Sequence, residues 1–427
     1  MIKPFKWLGL FWILLFVIIV PAGCNRGAEP VIPESVPCEL TLAGWVSSPV
    51  EEQAVRNQIA SYMTEYPQVK VTYKPFSQFY LESLERMEEE GCMADIFYLD
   101  AHMAYDFMKD DKLLPLNDLM MKFGIYPGDF YPDLLSAFKR EGEIYGIPKD
   151  FNTLGLFYNK AYFDKAGVPY PDLTWDWNSM KEASRKINLV LTHRGGYGLS
   201  LPPDVARWLP FAFQNGAKVL SDDGKRCCLD SKESIESMKF YYGLQKDGLS
   251  QEPAKLGCTW AGEAFGMGEA AMVIEGGWLI PYLKQEHPEI DFGVAQLPRG
   301  PKGRGNLLFV VAYCISKNTK YPVEAFRLLA YLTGKDVQKQ VLHTGFALPS
   351  RIALIDDPYY RQNHDAVAIL RGMETATLYR FGRAGIIFNR AFTQAMSVIF
   401  SGEETPEEAL GTAVEQVNKV LQSGGAE

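Results

Sequence analysis

The sequence predicts an α/β fold of two or three domains, built on a parallel sheet and working outside the cytoplasm. Three observations lead there. The chain has 427 residues, and at about 150 residues per domain that gives two or three. Between residues 38 and 100 strand-like and helix-like patterns alternate, the signature of βαβ units with right-handed crossovers. The only long apolar run is at the N-terminus, ahead of an acidic body rich in aromatics (25 Phe, 22 Tyr, 8 Trp).

Composition excludes several classes. Apolar residues at 47% and charged residues at 22% mark a folded chain, not a disordered one. A net charge of −9 argues against a nucleic-acid partner, which requires a basic face. The five histidines, His102, His193, His287, His343 and His364, show no metal-ligand spacing. No cofactor is implied.

The elements follow in order. Lys3 and Lys6 precede the apolar run Trp7–Val20 and then Pro21-Ala22-Gly23-Cys24. The run is short for a membrane span. The pattern is similar to a bacterial lipobox, with Cys24 as the acylated first mature residue, although Pro21 stands where Leu is usual. Residues 25–37 hold three prolines and read as a tether. CELTLAGW (38–45), VKVTYKPF (69–76) and ADIFYLD (94–100) are strands. Val55, Ile59, Tyr62, Met63 and Tyr66 form the buried stripe of a helix between the first two. Residues 141–160 contain a further strand, and the middle, 175–295, is mostly helical. EAAMVIEGGW (269–278), DFGVAQLP (291–298) and NLLFVVAYCIS (306–316) are three more strands. Residues 321–334 form a helix stopped by Gly334. The last helix opens at Thr405-Pro406-Glu407-Glu408, a capping box with Pro at the first helical position. Its stripe is Leu410, Ala413, Val414, Val417, Val420 and Leu421.

Six cysteines follow the leader: Cys38, Cys92, Cys227, Cys228, Cys258 and Cys314. They allow fifteen complete pairings. In a sheet of order 2-1-3, Cys38 and Cys92 stand at the N-terminal ends of neighbouring parallel strands, so a disulfide between them is expected. Cys227 or Cys228 with Cys258 is a second pairing, and Cys314 is expected as a buried thiol.

Catalytic motifs are missing: there is no G-x-S-x-G elbow, no H-E-x-x-H and no P-loop. The Gly266–Ala271 glycine pattern precedes a strand, where a dinucleotide site needs it to follow one. A binding protein, not an enzyme, is therefore expected. Candidate binding residues cluster at strand C-terminal ends, where open α/β sheets bind ligands. Trp45 and Ser47 follow the first strand, Gln78 the second, and Asp100 and His102 the third. Trp278 follows the 269–275 strand, with Glu275 at its end. Aromatic faces among carboxylates and amides suit sugar recognition: ring C–H faces stack, and hydroxyls bond to carboxylates and amides.

Five blocks then carry a resemblance: ADIFYLDAHMAYDF, GEIYGIPKDFNTLGLFYNKAYFDKAGVPYP, DSKESIESMKFYYGLQKDGLS, FGMGEAAMVIEGGW and FGVAQLPRGPKGRGN with the AYCISKNTKYPVEAFRLLAYLTG that follows. In order, they resemble the family 1 extracellular solute-binding proteins, the maltose-binding-like receptors of ABC sugar importers. The resemblance spans nearly all of 38–427. It implies a two-lobed periplasmic-binding-protein type II fold with a three-segment hinge and a cleft between the lobes. It places crossings near Pro148–Asn152, Val294–Leu297 and Ala347–Ile355. The implied division is a signal peptide (1–23), a tether (24–37), lobe 1 (38–149 and 297–350) and lobe 2 (150–296 and 351–427). It adds Asp150, Asn152, Trp208 and Phe388 to the candidate binding residues and marks Trp278 as a stacking platform. The partners implied are a sugar, an ABC permease and, through Cys24, the extracytoplasmic face of a bacterial membrane, with the body a monomer. A receptor for a solute such as glycerol phosphate and a secreted glycosidase are the alternatives.

Overall fold

The computed structural model describes residues 32–46, 49–191 and 195–423. The strands are β1 (Cys38–Trp45), β2 (Val69–Phe76), β3 (Ile96–Asp100), β4 (Lys139–Arg140), β5 (Glu143–Ile144), β6 (Gly146–Asn159) and β7 (Leu199–Ser200). They continue as β8 (Ser250–Gln251), β9 (Met272–Gly276), β10 (Phe292–Ala295), β11 (Asn306–Ile315), β12 (Leu348–Pro349) and β13 (Ala376–Leu378). The main sheet runs β2-β1-β3-β11-β6-β9-β7-β8. The expected 2-1-3 start is present, with β1 parallel to both β2 and β3. The sheet as a whole is mixed, because β11 lies antiparallel to β3 and to β6.

β6 organises the rest. It is 14 residues long and buried throughout. Residues Gly146–Thr153 pair with β11, and Leu154–Tyr158 pair with β9. One uninterrupted strand thus belongs to the sheets of both lobes. Two apolar cores form around it. The first contains Leu40, Leu42, Phe97, Tyr98, Phe326 and Leu329. The second contains Trp175, Trp208, Phe211, Phe388 and Phe392. Alternation divides the middle strands between them: Phe157 and Val273 face the first core, whereas Leu156, Met272 and Ile274 face the second.

The helices obey their sequence signals. Helix α1 (Pro49–Glu65) buries Val55, Ile59 and Tyr62. The C-terminal helix (Pro406–Ser423) buries Leu410, Ala413, Val414, Val417 and Leu421. Its capping box is formed: the Thr405 N–H donates to Glu408 Oε2 at 3.0 Å, and the Glu408 N–H donates to Thr405 Oγ1 at 3.3 Å.

The expected Cys38–Cys92 disulfide is absent. All six cysteines among the described residues are free, with Cys38 buried and Cys92 exposed. The reason is local. Helix α2 (Tyr80–Glu89) ends with Gly91 at φ +65°, and the Cys92 N–H closes back on the Met87 carbonyl at 2.9 Å. Cys92 therefore completes a helix C-cap of the Schellman type instead of opening a strand. Pairing of β3 with β1 starts only at Ile96. Asp95 takes the place next to β1, accepting from the Thr41 N–H at 2.8 Å and Oγ1 at 2.9 Å. The Cys227/Cys228–Cys258 pairing is likewise not formed.

Burial pushes the Cys38 thiol up to about 11 and the Cys227 thiol to about 12, which suppresses the reactive thiolate. Alkylation of the native protein is expected to label Cys92 first and to leave Cys38, Cys227 and Cys314 unlabelled. Denaturation without reductant should expose Cys38 and Cys92 together. A Cys38–Cys92 peptide in the non-reducing map would contradict this chain path.

Candidate functional site

A cavity of about 380 Å³ lies between the lobes, within the usual range of roughly 300–1,000 Å³ for ligand sites. Strand ends and helix starts build it. Trp45 closes β1, Glu51 sits in the first turn of α1, and Tyr80 opens α2. Asp100, His102 and Met103 come from the junction of β3 with helix α3 (Ala101–Lys109). Lys149, Asp150 and Asn152 come from β6, Phe309 and Val311 from β11, and Trp278 from the turn after β9. Phe346 precedes β12.

The polar floor is made by a bulge. Val311 pairs with Asp150 and Ala312 with Pro148, so Lys149 is an extra residue in β6. A bulge re-aims its side chain and strips nearby carbonyls of ladder partners. Both consequences are visible. The Lys149 carbonyl accepts from Gln338 Nε2, and the Pro148 carbonyl from Ser350 Oγ. Lys149 Nζ bonds to Asp150 and lies 3.5 Å from Glu51 Oε1. It also sits 5.0 Å from the ring centres of Tyr98 and Phe346. Burial opposes the ammonium charge, but Asp150 and Glu51 outweigh it and hold Lys149 protonated.

The aromatic walls are fixed by their neighbours. Trp45 packs edge-on against Tyr80 (5.2 Å) and Tyr98 (5.5 Å). Trp278 packs edge-on against Phe309 at 6.0 Å, with the Arg207 guanidinium 5.7 Å from its ring centre. Glu275 locks that wall. It is 1% exposed and accepts from Trp278 Nε1 at 3.0 Å and from Arg207 Nη2 at 2.6 Å. Gly276 is required by space, because a Cβ there would lie 2.3 Å from the Trp278 ring. Desolvation raises the Glu275 carboxyl against the opposing pull of Arg207.

The sequence-derived candidates divide. Trp45, Asp100, Asp150, Asn152 and Trp278 line the cavity. Asp100 is also the N-cap of α3: it accepts from the His102 N–H at 3.2 Å and contacts His102 Nδ1 at 2.7 Å. Asn152 is committed to backbone. Its Nδ2 donates to the Phe346 carbonyl at 3.3 Å, and its Oδ1 accepts from the Gly277 N–H at 3.1 Å. It pins the first crossing to two other segments. Glu275 stands behind Trp278 and does not line the cavity. Trp208 is a correction: it is 0% exposed, donates from Nε1 to Ser237 Oγ at 3.0 Å and stacks on Phe392. Phe388 is another, buried between Phe381 and Phe392. Both lie on amphipathic helices and turn to the second core. Gln78 is exposed and outside the lining, while Tyr80, two residues on, is in it. Ser47 and Cys24 lie outside the described residues.

Sequence reasoning missed Glu51, Tyr80, Lys149, Phe309 and Phe346. Glu51 reads as a first-turn acid favoured by the helix dipole. Phe309 and Val311 read as alternating core residues of a strand. A signal for Lys149 existed, since a lysine beside the first crossing is unusual in a strand buried on both faces.

Outside the cavity the lobes meet along a seam between α3 and the helix Gly385–Ser401. Gly385 sits directly on α3, where a Cβ would lie 1.8 Å from the His102 carbonyl oxygen. Arg380 Nη1 donates to the Ser136 carbonyl at 2.8 Å, and Arg390 lies 3.9 Å from Glu85.

Comparison with known proteins agrees with this architecture. The family model for bacterial extracellular solute-binding proteins matches residues 57–366, and the chain belongs to that family. The arabinooligosaccharide-binding protein of Bacillus subtilis (strain 168) is 24% identical over 336 residues, covering 76% of this chain and 75% of its own. The sn-glycerol-3-phosphate-binding periplasmic protein UgpB of Rhizobium meliloti (strain 1021) is 20% identical, covering 86% and 91%. Among solved structures, the GacH receptor of Streptomyces glaucescens, determined unliganded and with acarbose, superposes with a TM-score of 0.82 at 22% identity, covering 91% and 100%. The fold is thus that of the two-lobed periplasmic binding proteins.

Two outcomes are expected from this geometry. Glu275→Ala leaves the largely enclosed Arg207 with Asp204 at 3.8 Å as its nearest remaining carboxylate, so unfolding free energy should fall by about 2 kcal/mol; urea melts measure it, and an unchanged midpoint contradicts the lock. Gly385→Val should force the seam apart. Solution scattering should then report a larger radius of gyration while the helical circular dichroism stays the same. An unchanged scattering curve would show that the seam is not a close contact.

Proposed function

We propose that this chain is the sugar receptor of an ABC importer, capturing an oligosaccharide between its lobes and delivering it to a permease without chemical change. The observation that carries the reading is that two tryptophans, Trp45 and Trp278, line one cavity together with the carboxylates of Glu51, Asp100 and Asp150. Sugar C–H faces stack on such walls, and hydroxyls donate to carboxylates. The names of the relatives add support: the Bacillus subtilis relative is an arabinooligosaccharide binder. Charge weighs against glycerol phosphate. Lys149 is already balanced by Asp150 and Glu51, and Asp100 adds a further acid, so a phosphate would face a net negative wall.

Closure would turn on β6 and the segments beside it, with lobe 1 taken as 38–149 and 297–350 and lobe 2 as 150–296 and 351–427. We read the protein as a monomer whose Cys24 is acylated and holds it at the extracytoplasmic face of a bacterial membrane, after loss of residues 1–23. Detergent partitioning and the mature N-terminus test that anchor. Maturation of Cys24→Ala as a soluble protein at the same cleavage site would refute it.

A thermal-shift screen should include arabino- and malto-oligosaccharides and glycerol 3-phosphate. A ligand at 100 times its Kd stabilises by about 2.7 kcal/mol. A neutral oligosaccharide is expected to shift the melt, glycerol 3-phosphate is not, and the ligand should be recovered intact. Trp278→Ala should weaken binding of the ligand so found by about 5- to 150-fold, measured by calorimetric titration. Normal binding in that variant, or hydrolysis of the sugar, would overturn the reading.

A further inference from the structure

The segment just before β1 has the composition of a linker, yet it is held. Helix Pro322–Leu332 of the first lobe buries an ion pair, Glu324 (2% exposed) and Arg327 (5% exposed), joined at 2.9 Å. The Arg327 guanidinium also lies over the rings of Tyr66 (5.5 Å) and Phe123 (5.3 Å). Burying two charges is expensive unless their remaining bonding capacity is used. Here the N-terminal segment uses it. Ser35 Oγ donates to Glu324 Oε2 at 2.9 Å, and the Val36 N–H donates to Glu324 Oε1 at 3.2 Å. Arg327 Nη2 donates to the Pro33 carbonyl at 2.5 Å. Three charge-assisted bonds converge on four residues of chain.

We propose that Glu324 and Arg327 are a docking site for the chain's own residues 33–36. The segment is then a strap clipped to the first lobe, and the point where the N-terminal anchor leaves the body is fixed. The consequence for orientation rests on the reading of Cys24 as acylated. Residues 24–32 reach at most about 30 Å in any conformation. Because the strap is held by first-lobe residues alone, the face carrying Tyr66, Phe123 and the start of the 322–332 helix is kept within that reach of the bilayer and lies nearer to it, on average, than the second lobe.

Hydrogen exchange on the full chain tests the strap without any assumption about the anchor. The peptide containing Val36 is expected to exchange at least tenfold more slowly in the wild type than in Arg327→Gln or Glu324→Gln. Should those variants fail to fold, the double apolar replacement Glu324→Leu with Arg327→Met removes both charges together and serves the same comparison. Exchange at the unprotected rate in the wild type, or equal rates in the wild type and the double variant, overturns the proposal. Orientation is read on vesicles of phosphatidylethanolamine and phosphatidylglycerol carrying an energy-transfer acceptor. A donor on Cys92, whose neighbours Gly91 and Met93 line a surface depression with Tyr321, is compared with a donor on Cys228 of the second lobe, the other thiol being replaced by Ser. Stronger transfer from Cys92, lost in the double variant, is expected. Equal transfer in the wild type overturns the fixed orientation. A protein that does not bind the vesicles refutes the acyl anchor, while the exchange result still decides the strap.

Discussion

Everything in this molecule hangs on β6 being shared. Fourteen buried residues run unbroken from one sheet into the other, so the lobes are joined by backbone hydrogen bonds on both sides of the crossing. A strand paired along its whole length is stiff. The one place where its ladder slips is the Lys149 bulge, and the cavity floor lies there. The irregularity and the site are one feature: the bulge turns a lysine inwards, and the carboxylates of Asp150 and Glu51 gather around its charge.

The walls follow from that floor. A buried ammonium needs partners, and those partners come from elements distant in sequence: Glu51 from α1, and the rings of Tyr98 and Phe346. The same logic repeats at Arg207, where Glu275 holds both the guanidinium and the Trp278 indole. It recurs at Arg327, where Glu324 and the N-terminal strap share the charge. Each buried cation organises a surface: a cavity floor, a cavity wall, a docking site. The strap differs in what it uses, since two of its three contacts, the Val36 N–H and the Pro33 carbonyl, are backbone groups, and only Ser35 Oγ is a side chain.

The seam between α3 and the 385–401 helix adds a constraint outside the cavity. Gly385 lies against the His102 carbonyl, and the His102 ring lies 5.5 Å from Tyr379 of the second core. The residue that lines the cavity from the first lobe is thus the one on which the second lobe rests. The cavity lining and the lobe contact share two residues of chain, Asp100 and His102, which the capping contacts of α3 hold together.

Local signals in the sequence determined a good deal. Strand and helix alternation announced β1, β2 and β3 and their order, because period-2 and period-3.6 patterns record which face is buried. The capping box at Thr405 and the stripe of the last helix were legible for the same reason. Trp45, Asp100 and Trp278 were legible as cavity residues from their places at strand C-terminal ends, whereas Asp150 and Asn152 came only through the family resemblance, which set the first crossing. Only the tertiary structure could decide which way an aromatic on a helix points. Trp208 and Phe388 turned to the core because their helices pack on it, and Asn152 spent its amide on backbone from two distant segments. Only it could bring Glu51, Tyr80, Phe309 and Phe346 to one cavity, or pin Pro33–Val36 to Glu324 and Arg327. These contacts join residues tens to hundreds of positions apart, and no local period encodes them. The Cys38–Cys92 expectation failed on the same ground: strand order was readable, but the helix cap that removes Cys92 from its strand is a matter of a few backbone angles.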